Sequence, residues 1–164
     1  MKDNRIRNRR WDRVIASAAM FLLIIAVLIT SVQLAAYGDP QYKFYEKEYT
    51  KYTVTDALDM KMKDVMKVTD HMMAYLIGEE EELSVVTNVD GKEQDFFNGQ
   101  DRLHMADVKN LFLGGLRVRL VCLVGAAILI IVLIRRKAEL SRLLARAYSA
   151  ALGLFVAVIA FLAL

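Results

Sequence analysis

The sequence predicts a membrane α-helical protein with three transmembrane helices and an extracytoplasmic α+β cap between the first and the second. Of the 164 residues, 56% are hydrophobic and 25% are charged, and the two kinds are segregated along the chain. Residues 14–38 form a run of 25 without a charged side chain, which is long enough for a helix to cross a bilayer. Basic residues flank the apolar runs, whereas acidic residues concentrate in 38–113.

The first predicted span, 14–37, follows a basic N-terminal segment, 1–13. Trp11 and Tyr37 stand near its two ends, where amphipathic rings favour the headgroup region. A cleaved signal peptide is the alternative, because Ala35-Ala36 resembles a small-residue cleavage site. The apolar run is much longer than a usual signal core of about 7–15 residues, which favours a span.

The second predicted span is 111–134, and the third is 147–164, with a basic cytoplasmic loop at 135–146 between them. Within the second span, Arg117 and Arg119 must extend toward the headgroups for the flanking apolar residues to join it. The third run reaches the last residue of the sequence, Leu164, without a polar flank. This ending predicts a C-terminal truncation or a fragment of a longer reading frame.

Charge asymmetry predicts the orientation. Residues 38–113 carry nine Lys or Arg and sixteen Asp or Glu, whereas the rest of the chain carries thirteen basic and three acidic residues. The positive-inside rule therefore predicts a cytoplasmic N-terminus and an extracytoplasmic 38–110 segment in a multi-pass protein. Nucleic-acid binding is disfavoured, because the basic residues flank apolar runs instead of forming one patch.

The predicted cap has three elements: a helix at about 54–77, a hairpin at about 84–97 and a helix at about 99–112 that runs into the second span. For the first helix, Thr53 followed by Asp56 resembles a capping arrangement, and Gly78 is a typical stop. For the hairpin, Asp90-Gly91 is a favoured pair in a tight turn.

Asn98 is the predicted cap of the last helix, with Asp101 at its third position. This helix carries His104, and Asp107 follows one turn later. Histidine exchanges a proton near neutral pH, so His104 is a candidate general base and acid, with Asp107 as the group that orients it. The alternative is an interfacial histidine without a catalytic role.

The remaining sequence offers few other catalytic groups. Cys122 is the single cysteine and lies inside an apolar run, and neither a phosphate loop nor a metal-ligand spacing is present, so no cofactor and no metal are predicted. His71 is assigned a structural or solvent-facing role. The candidate substrate-binding residues are Tyr45, Tyr49, Phe97 and Arg117.

The aromatic residues among these candidates have two interpretations. Five aromatic residues fall within residues 42–52, which is typical of an aromatic belt resting on lipid headgroups. The second interpretation is the wall of a pocket for a lipid-bearing substrate. Arg117 and Arg119 differ by about 200° around a helix, so only one of them faces a given site.

Four strings resemble a bacterial membrane family, the lipoprotein intramolecular transacylases: EKEYTKY at Glu46–Tyr52, VTDHMMAYLIG at Val68–Gly78, VDGKEQDFFN at Val89–Asn98 and HMADVKNLF at His104–Phe112. The resemblance implies a fold of four transmembrane helices in the bacterial cytoplasmic membrane. It also implies two catalytic histidines, of which His104 is one. The second would follow the third span, beyond Leu164, and the alternative is that His71 substitutes for it. A chain that ends at Leu164 is expected to be inactive.

The reaction implied by the resemblance is an acyl transfer within one lipoprotein, from the sn-2 ester of its diacylglyceryl group to the amine of its N-terminal cysteine. The implied partners are membrane lipids and the diacylated lipoprotein as substrate. The alternative function is a non-enzymatic membrane protein whose cap binds an extracytoplasmic partner or senses envelope conditions. No oligomeric state is predicted.

Overall fold

The structure, a computed structural model, describes residues 2–89 and 91–162. The described chain forms six helices and one hairpin: α1 (Lys2–Tyr37), α2 (Lys43–Lys51), α3 (Val54–Leu58), α4 (Met62–Ile77), β1 (Val86–Val89), β2 (Lys92–Asp95), α5 (Gly99–Arg135) and α6 (Leu140–Leu162). These elements separate into two compact units. Residues 32–116 make up the hairpin unit, and residues 1–31 with 117–164 make up the helical unit.

The helical unit buries mostly alanine residues, together with Leu133, and exposes many large apolar residues. Ala16, Leu133 and Ala147 form its buried cluster, and they are at most 5% exposed. By contrast, Phe21 and Leu154 are more than half exposed. Helices that associate in lipid show this pattern, because small residues allow close backbone approach while large apolar side chains face the acyl chains.

Two helices in the described part of the chain are long and apolar enough to cross a membrane, Arg9–Tyr37 and Gly99–Arg135. Only 17% of the most apolar window of each is buried, whereas the core helix of a soluble protein is mostly buried. Their length and their exposed apolar surface support a membrane location. The predicted third span falls mainly within α6, and its last residues, 163 and 164, lie outside the described residues.

The core of the hairpin unit is formed by one face of α4 together with residues from both sides of the hairpin. Val65, Val68 and Tyr75 recur at helical spacing along α4 and are at most 7% exposed. They pack with Met60, Leu83, Val85 and Phe97 in one cluster. This packing orients α4 against the hairpin.

Gly78 ends α4 as the sequence predicts. It has a φ of 84°, and the amides of Gly78 and Glu79 donate to the carbonyl oxygens of Tyr75 and Ala74 at 3.1 and 2.9 Å. This is the hydrogen-bond pattern of a Schellman motif, in which glycine adopts the left-handed conformation without a Cβ clash.

The single helix expected at about 54–77 is instead two helices, α3 and α4. Asp59 between them has a left-handed φ of 47°, and the next residue, Met60, is only 7% exposed within the core. Burial of Met60 therefore accompanies the break in the helix. The predicted capping by Thr53 is also wrong, because its φ is 49° and its hydroxyl makes no capping hydrogen bond to α3.

One helix, α2, was not expected from the sequence. The carboxylate of Asp39 accepts hydrogen bonds from the amides of Gln41 and Phe44 at 3.1 and 3.0 Å, which satisfies amides before and within the first turn of α2. These hydrogen bonds favour the charged carboxylate, so the pKa of Asp39 lies below its ordinary value despite opposing desolvation.

The hairpin pairs β1 and β2 in antiparallel fashion, with Val86 opposite Asp95 and Val89 opposite Lys92. Asp90 of the predicted Asp-Gly turn lies outside the described residues, and Gly91 has a φ of 73°. Thr87 is 4% exposed and donates to Asp64 of α4 at 3.0 Å. This hydrogen bond joins the buried face of β1 to α4.

Candidate functional site

The first turn of α5 has a reciprocal cap that fixes the start of the helix bearing His104. The side-chain oxygen of Asn98 accepts from the amides of Gln100 and Asp101 at 2.8 and 3.0 Å, and the carboxylate of Asp101 accepts from the amide of Asn98 at 3.0 Å. Each residue thus satisfies an amide that the helix leaves unpaired. The predicted capping role of Asn98 is confirmed.

His104 and Asp107 lie on the exposed side of α5. Met105 packs against the core of the hairpin unit, and Lys109 donates to the carbonyl oxygen of Glu80 at 2.8 Å while its ammonium stands 4.0 Å from the ring centre of Tyr75. These contacts hold one face of α5 against the core. His104 and Asp107 are both exposed, and within the described part of the chain no hydrogen bond joins them.

Tyr49 and Phe97 are brought together in the lining of one apolar pocket of about 150 Å³. The hydroxyl groups of Tyr49 and Thr69 are hydrogen-bonded at 3.0 Å, so the Tyr49 ring is held at the pocket wall. The remaining lining comes from α3, from α4 and from the residue after β2: Val54, Leu58, Val65, Val68, Thr69, Met72 and Phe96. A small concave surface of this composition suits an apolar ligand group.

Tyr45 extends this aromatic wall along α2. Its ring centre lies 6.2 Å from that of Tyr49, and its hydroxyl donates to the carbonyl oxygen of Ala36 at 3.2 Å. Burial raises the pKa of Tyr45, and the nearby Tyr49 raises it further, so Tyr45 is a neutral hydrogen-bond donor at neutral pH.

Asp95 fixes the backbone next to Phe97. One carboxylate oxygen accepts from the amides of Phe97 and Val85 at 3.0 and 3.3 Å, and the other accepts from Ser84 and Arg102. Desolvation raises the pKa of Asp95, but the hydrogen bonds and the charge of Arg102 outweigh it and lower that pKa below its ordinary value. Sequence inspection missed this residue, since its four donors are spread from position 84 to 102.

Arg117 is exposed on α5, within the helical unit. The structure therefore does not assemble the whole set of sequence-predicted residues into one pocket of the hairpin unit. It brings together Tyr45, Tyr49 and Phe97, whereas His104 and Asp107 are exposed and do not line the apolar pocket.

His71 lines an open groove of about 980 Å³, together with Asp70, Lys67 and Ser84. Its Nε2 lies 2.8 Å from the carbonyl oxygen of Glu82. A carbonyl oxygen only accepts, so Nε2 carries the hydrogen and donates it. His71 thereby anchors the acidic segment after α4, in line with the structural role expected for it.

Among the described residues, no group of three or more His, Cys, Asp or Glu side chains is placed to hold a metal ion.

The fold has known counterparts. The membrane integral lipoprotein intramolecular transacylase Lit from Bacillus cereus matches with a TM-score of 0.68 at 20% identity, over 92% of this chain and 65% of that one. A variant of that protein with one histidine replaced by alanine gives a TM-score of 0.72 at 18% identity, over 98% and 68%. The variant with arginine at that histidine gives 0.68 at 19% identity, over 96% and 68%.

The chain thus spans about two thirds of the length of the Bacillus cereus protein. No curated protein sequence gives a significant match. The family model for the lipoprotein intramolecular transacylase Lit matches residues 17–164, which is nearly the whole sequence. The chain therefore belongs to the lipoprotein intramolecular transacylase Lit family.

Proposed function

We propose that the protein transfers an acyl chain within a diacylated lipoprotein, from the sn-2 ester of the diacylglyceryl group to the amine of the N-terminal cysteine. The match of the family model to residues 17–164 is the observation that carries this proposal. The exposed histidine and the apolar pocket of the hairpin unit provide the two groups that such a reaction needs, a base and an acyl-binding surface.

His104 is the proposed general base and acid. Its imidazole takes a proton as the cysteine amine attacks the ester carbonyl, and a tetrahedral intermediate forms. Collapse of the intermediate breaks the bond to the sn-2 oxygen, which receives the proton from the imidazolium. The products are an amide and a free sn-2 hydroxyl, so no external reactant is consumed. Substrate and nucleophile belong to one molecule, and proximity therefore supplies much of the rate enhancement.

Asp107 is the proposed positioning residue for His104. Both side chains are exposed and three residues apart on α5, so a rotamer change brings the carboxylate toward the ring. Such a contact would select one tautomer of His104 and support its charged form. Arg117 is the proposed partner of the developing oxyanion or of a substrate phosphate.

The aromatic pocket is the proposed contact for part of the acyl chain. At about 150 Å³ it matches the size of an engineered protein cavity that accepts benzene, so it accommodates roughly six carbon atoms. Tyr49 and Phe97 form its walls, and Tyr45 continues the aromatic surface beyond it.

The proposed topology has a cytoplasmic N-terminus, spans at 14–37, 111–134 and 147–164, and an extracytoplasmic segment at 38–110. Labelling of single cysteines in intact cells tests it, in a Cys122→Ser background. An impermeant maleimide should modify Gln94→Cys in β2 and leave Ser141→Cys unmodified until the cells are opened. The reverse labelling pattern would contradict the proposed orientation.

The catalytic proposal is tested by mass spectrometry of the N-terminal lipopeptide after the full-length protein is incubated with a diacylated lipoprotein. The unmodified protein should yield the N-acylated lyso form, and His104→Ala should lower conversion by at least about 100-fold, the usual contribution of a general base. Asn110→Ala is the matched control, because Asn110 is also exposed on α5 and has no proposed role.

Two outcomes would count against the proposal. Unchanged conversion by His104→Ala would remove His104 from the mechanism. Absence of conversion by the unmodified full-length protein, under conditions where the Bacillus cereus relative reacts, would reject the activity and favour a partner-binding or sensing role.

A further inference from the structure

A basic pocket of about 330 Å³ lies in the helical unit, between the N-terminal part of α1 and the connection from α5 to α6. Two acidic residues, Asp12 and Glu139, contribute to its lining. Six cationic residues line it: Arg9, Arg13, Arg136, Lys137, Arg142 and Arg146. The proposed acyl transfer uses none of these residues.

Both carboxylates of the basic pocket are already paired. Arg136 donates from Nε to Asp12 at 2.6 Å, and Arg142 donates from Nη1 to Glu139 at 2.9 Å. The side chains of four cations of the basic pocket make no hydrogen bond or ion pair with any described residue: Arg9, Arg13, Lys137 and Arg146. Four like charges around one concavity repel one another, and an anion bound among them relieves that repulsion.

The backbone at Lys137 is held in a conformation that usually belongs to glycine. Its φ is 53°, and the amides of Lys137 and Ala138 donate to the carbonyl oxygens of Ile134 and Leu133 at 2.9 and 3.1 Å. This is a Schellman ending of α5, with a lysine where glycine is favoured. A charged side chain is thus kept at the basic pocket despite backbone strain.

The basic pocket also lies where two apolar runs become polar. The charge-free run of α1 begins directly after Arg13, and that of α5 ends directly before Arg135. Ala16 of α1 and Leu133 of α5 belong to one buried cluster, and each lies within one turn of its boundary on the apolar side. In a membrane-spanning helix, this boundary coincides with the phosphate layer of the lipids.

We propose that the basic pocket binds the headgroup of an anionic phospholipid, with its phosphodiester among Arg9, Arg13, Lys137 and Arg146. Guanidinium groups match phosphate oxygens with two parallel hydrogen bonds, and the lysine adds a point charge. A zwitterionic choline headgroup brings a cation into the same cluster, so the pocket discriminates against it. This inference is independent of the acyl-transfer proposal.

Trp11 provides the assay, because it is the one tryptophan of the sequence and directly precedes Asp12 of the pocket. The full-length protein is reconstituted into phosphatidylcholine vesicles that contain a fraction of phosphatidylglycerol. Bromine atoms are placed near the headgroup end of the acyl chains of either lipid. Quenching of Trp11 as a function of the brominated fraction then measures the preference for one lipid over the other.

Brominated phosphatidylglycerol should quench Trp11 at a lower fraction than brominated phosphatidylcholine. Lys137→Gly and Arg146→Gln should each lower this preference about fivefold, the contribution of one cation near an anionic headgroup. Lys137→Gly is informative because glycine suits that backbone, so misfolding does not explain a loss.

Glu139→Gln frees Arg142 and should raise the preference. Lys92→Gln, an exposed cation in β2, is the control and should leave it unchanged.

Equal quenching by the two lipids would overturn the proposal, as would a preference that Lys137→Gly and Arg146→Gln leave unchanged. Inorganic phosphate provides a further arm. If millimolar phosphate abolishes the preference while sodium chloride of equal ionic strength does not, the ligand is a soluble phosphate and the lipid assignment fails. Because the readout is fluorescence, failure of acyl transfer does not affect it.

Discussion

Asp95→Ala should loosen the hairpin unit where β2 leads into α5. The carboxylate of Asp95 accepts four hydrogen bonds, two from the amides of Val85 and Phe97 and two from the side chains of Ser84 and Arg102. Val85 and Phe97 are 4% and 7% exposed, so water does not readily replace the lost acceptor at their amides. Ser84 and Arg102 are exposed and regain water.

The expected loss of stability in Asp95→Ala follows from the burial of the two amides and the exposure of the two side chains. An unsatisfied buried donor costs about 1–3 kcal/mol, which gives about 2–4 kcal/mol for the two amides of Val85 and Phe97, allowing for the longer 3.3 Å bond of Val85. The exposed pair with Arg102 adds no more than about 1 kcal/mol. Asp95→Asn keeps one oxygen for both amides and should cost only about 1 kcal/mol.

Hydrogen exchange of the full-length protein in detergent, followed by mass spectrometry, measures this local opening. A loss of about 2–4 kcal/mol corresponds to about 30- to 1,000-fold faster exchange in peptides that contain Val85 or Phe97. Arg102→Gln is the matched control and should accelerate exchange by less than about fivefold. If Asp95→Asn accelerates exchange as much as Asp95→Ala, the two amide hydrogen bonds are not the source of the stability.

The stabilisation by Asp95 should also depend on pH. Its pKa in the folded protein is lower than in the unfolded chain, where it is about 3.9. The contribution is therefore fully present above the unfolded pKa and is lost as the pH falls through the folded pKa. After correction for intrinsic exchange rates, the difference between the unmodified protein and Asp95→Asn should be constant from pH 7 to about 5 and decrease below about 4. A difference that disappears above about pH 6 would contradict this assignment.

Three further substitutions test the packing. Thr69→Val removes the partner of the Tyr49 hydroxyl and should lower stability by about 1–2 kcal/mol, measured by hydrogen exchange of α4 amides. Adding Tyr49→Phe should restore part of this loss, because the hydroxyl left without a partner is then also removed. Strictly additive losses in the double variant would reject the hydrogen bond. Gly78→Ala has room for the added methyl group, whose nearest neighbour is Leu113 at 3.9 Å. The expected loss of about 1–2 kcal/mol therefore comes only from the φ of 84°, and it is measured by hydrogen exchange at the end of α4. Unchanged exchange would contradict this cause. Leu133→Ala should lower stability in detergent by about 2–5 kcal/mol, and the half-exposed Ile131→Ala, its control, by much less.

Local features of the structure could be predicted from the sequence because their interactions join residues only a few positions apart. Gly78 ends α4 through carbonyl groups three and five residues before the donating amides, and Asn98 caps α5 through amides two and three residues later. The charge-free runs likewise identify the apolar helices without reference to any neighbour. For these elements, backbone sterics, amide satisfaction and hydrophobic length suffice.

Tertiary contacts decided the features that sequence inspection missed or mispredicted. Burial of Met60 accompanies the break in the expected helix, and it depends on a core completed by Phe97, far along the chain. The contact between His104 and Asp107 stays a prediction, because their spacing on α5 permits it while both side chains are exposed and not hydrogen-bonded to each other in this structure.

The two pockets also depend on contacts between residues that are distant in the sequence. Tyr49 and Phe97 meet in the apolar pocket although 48 positions separate them, and Asp12 pairs with Arg136 across 124 positions in the basic pocket. The sequence by itself determined which residues are apolar, charged or helix-ending. Only the folded chain decided which of them share a surface, because closing long loops requires the summed burial of many distant side chains.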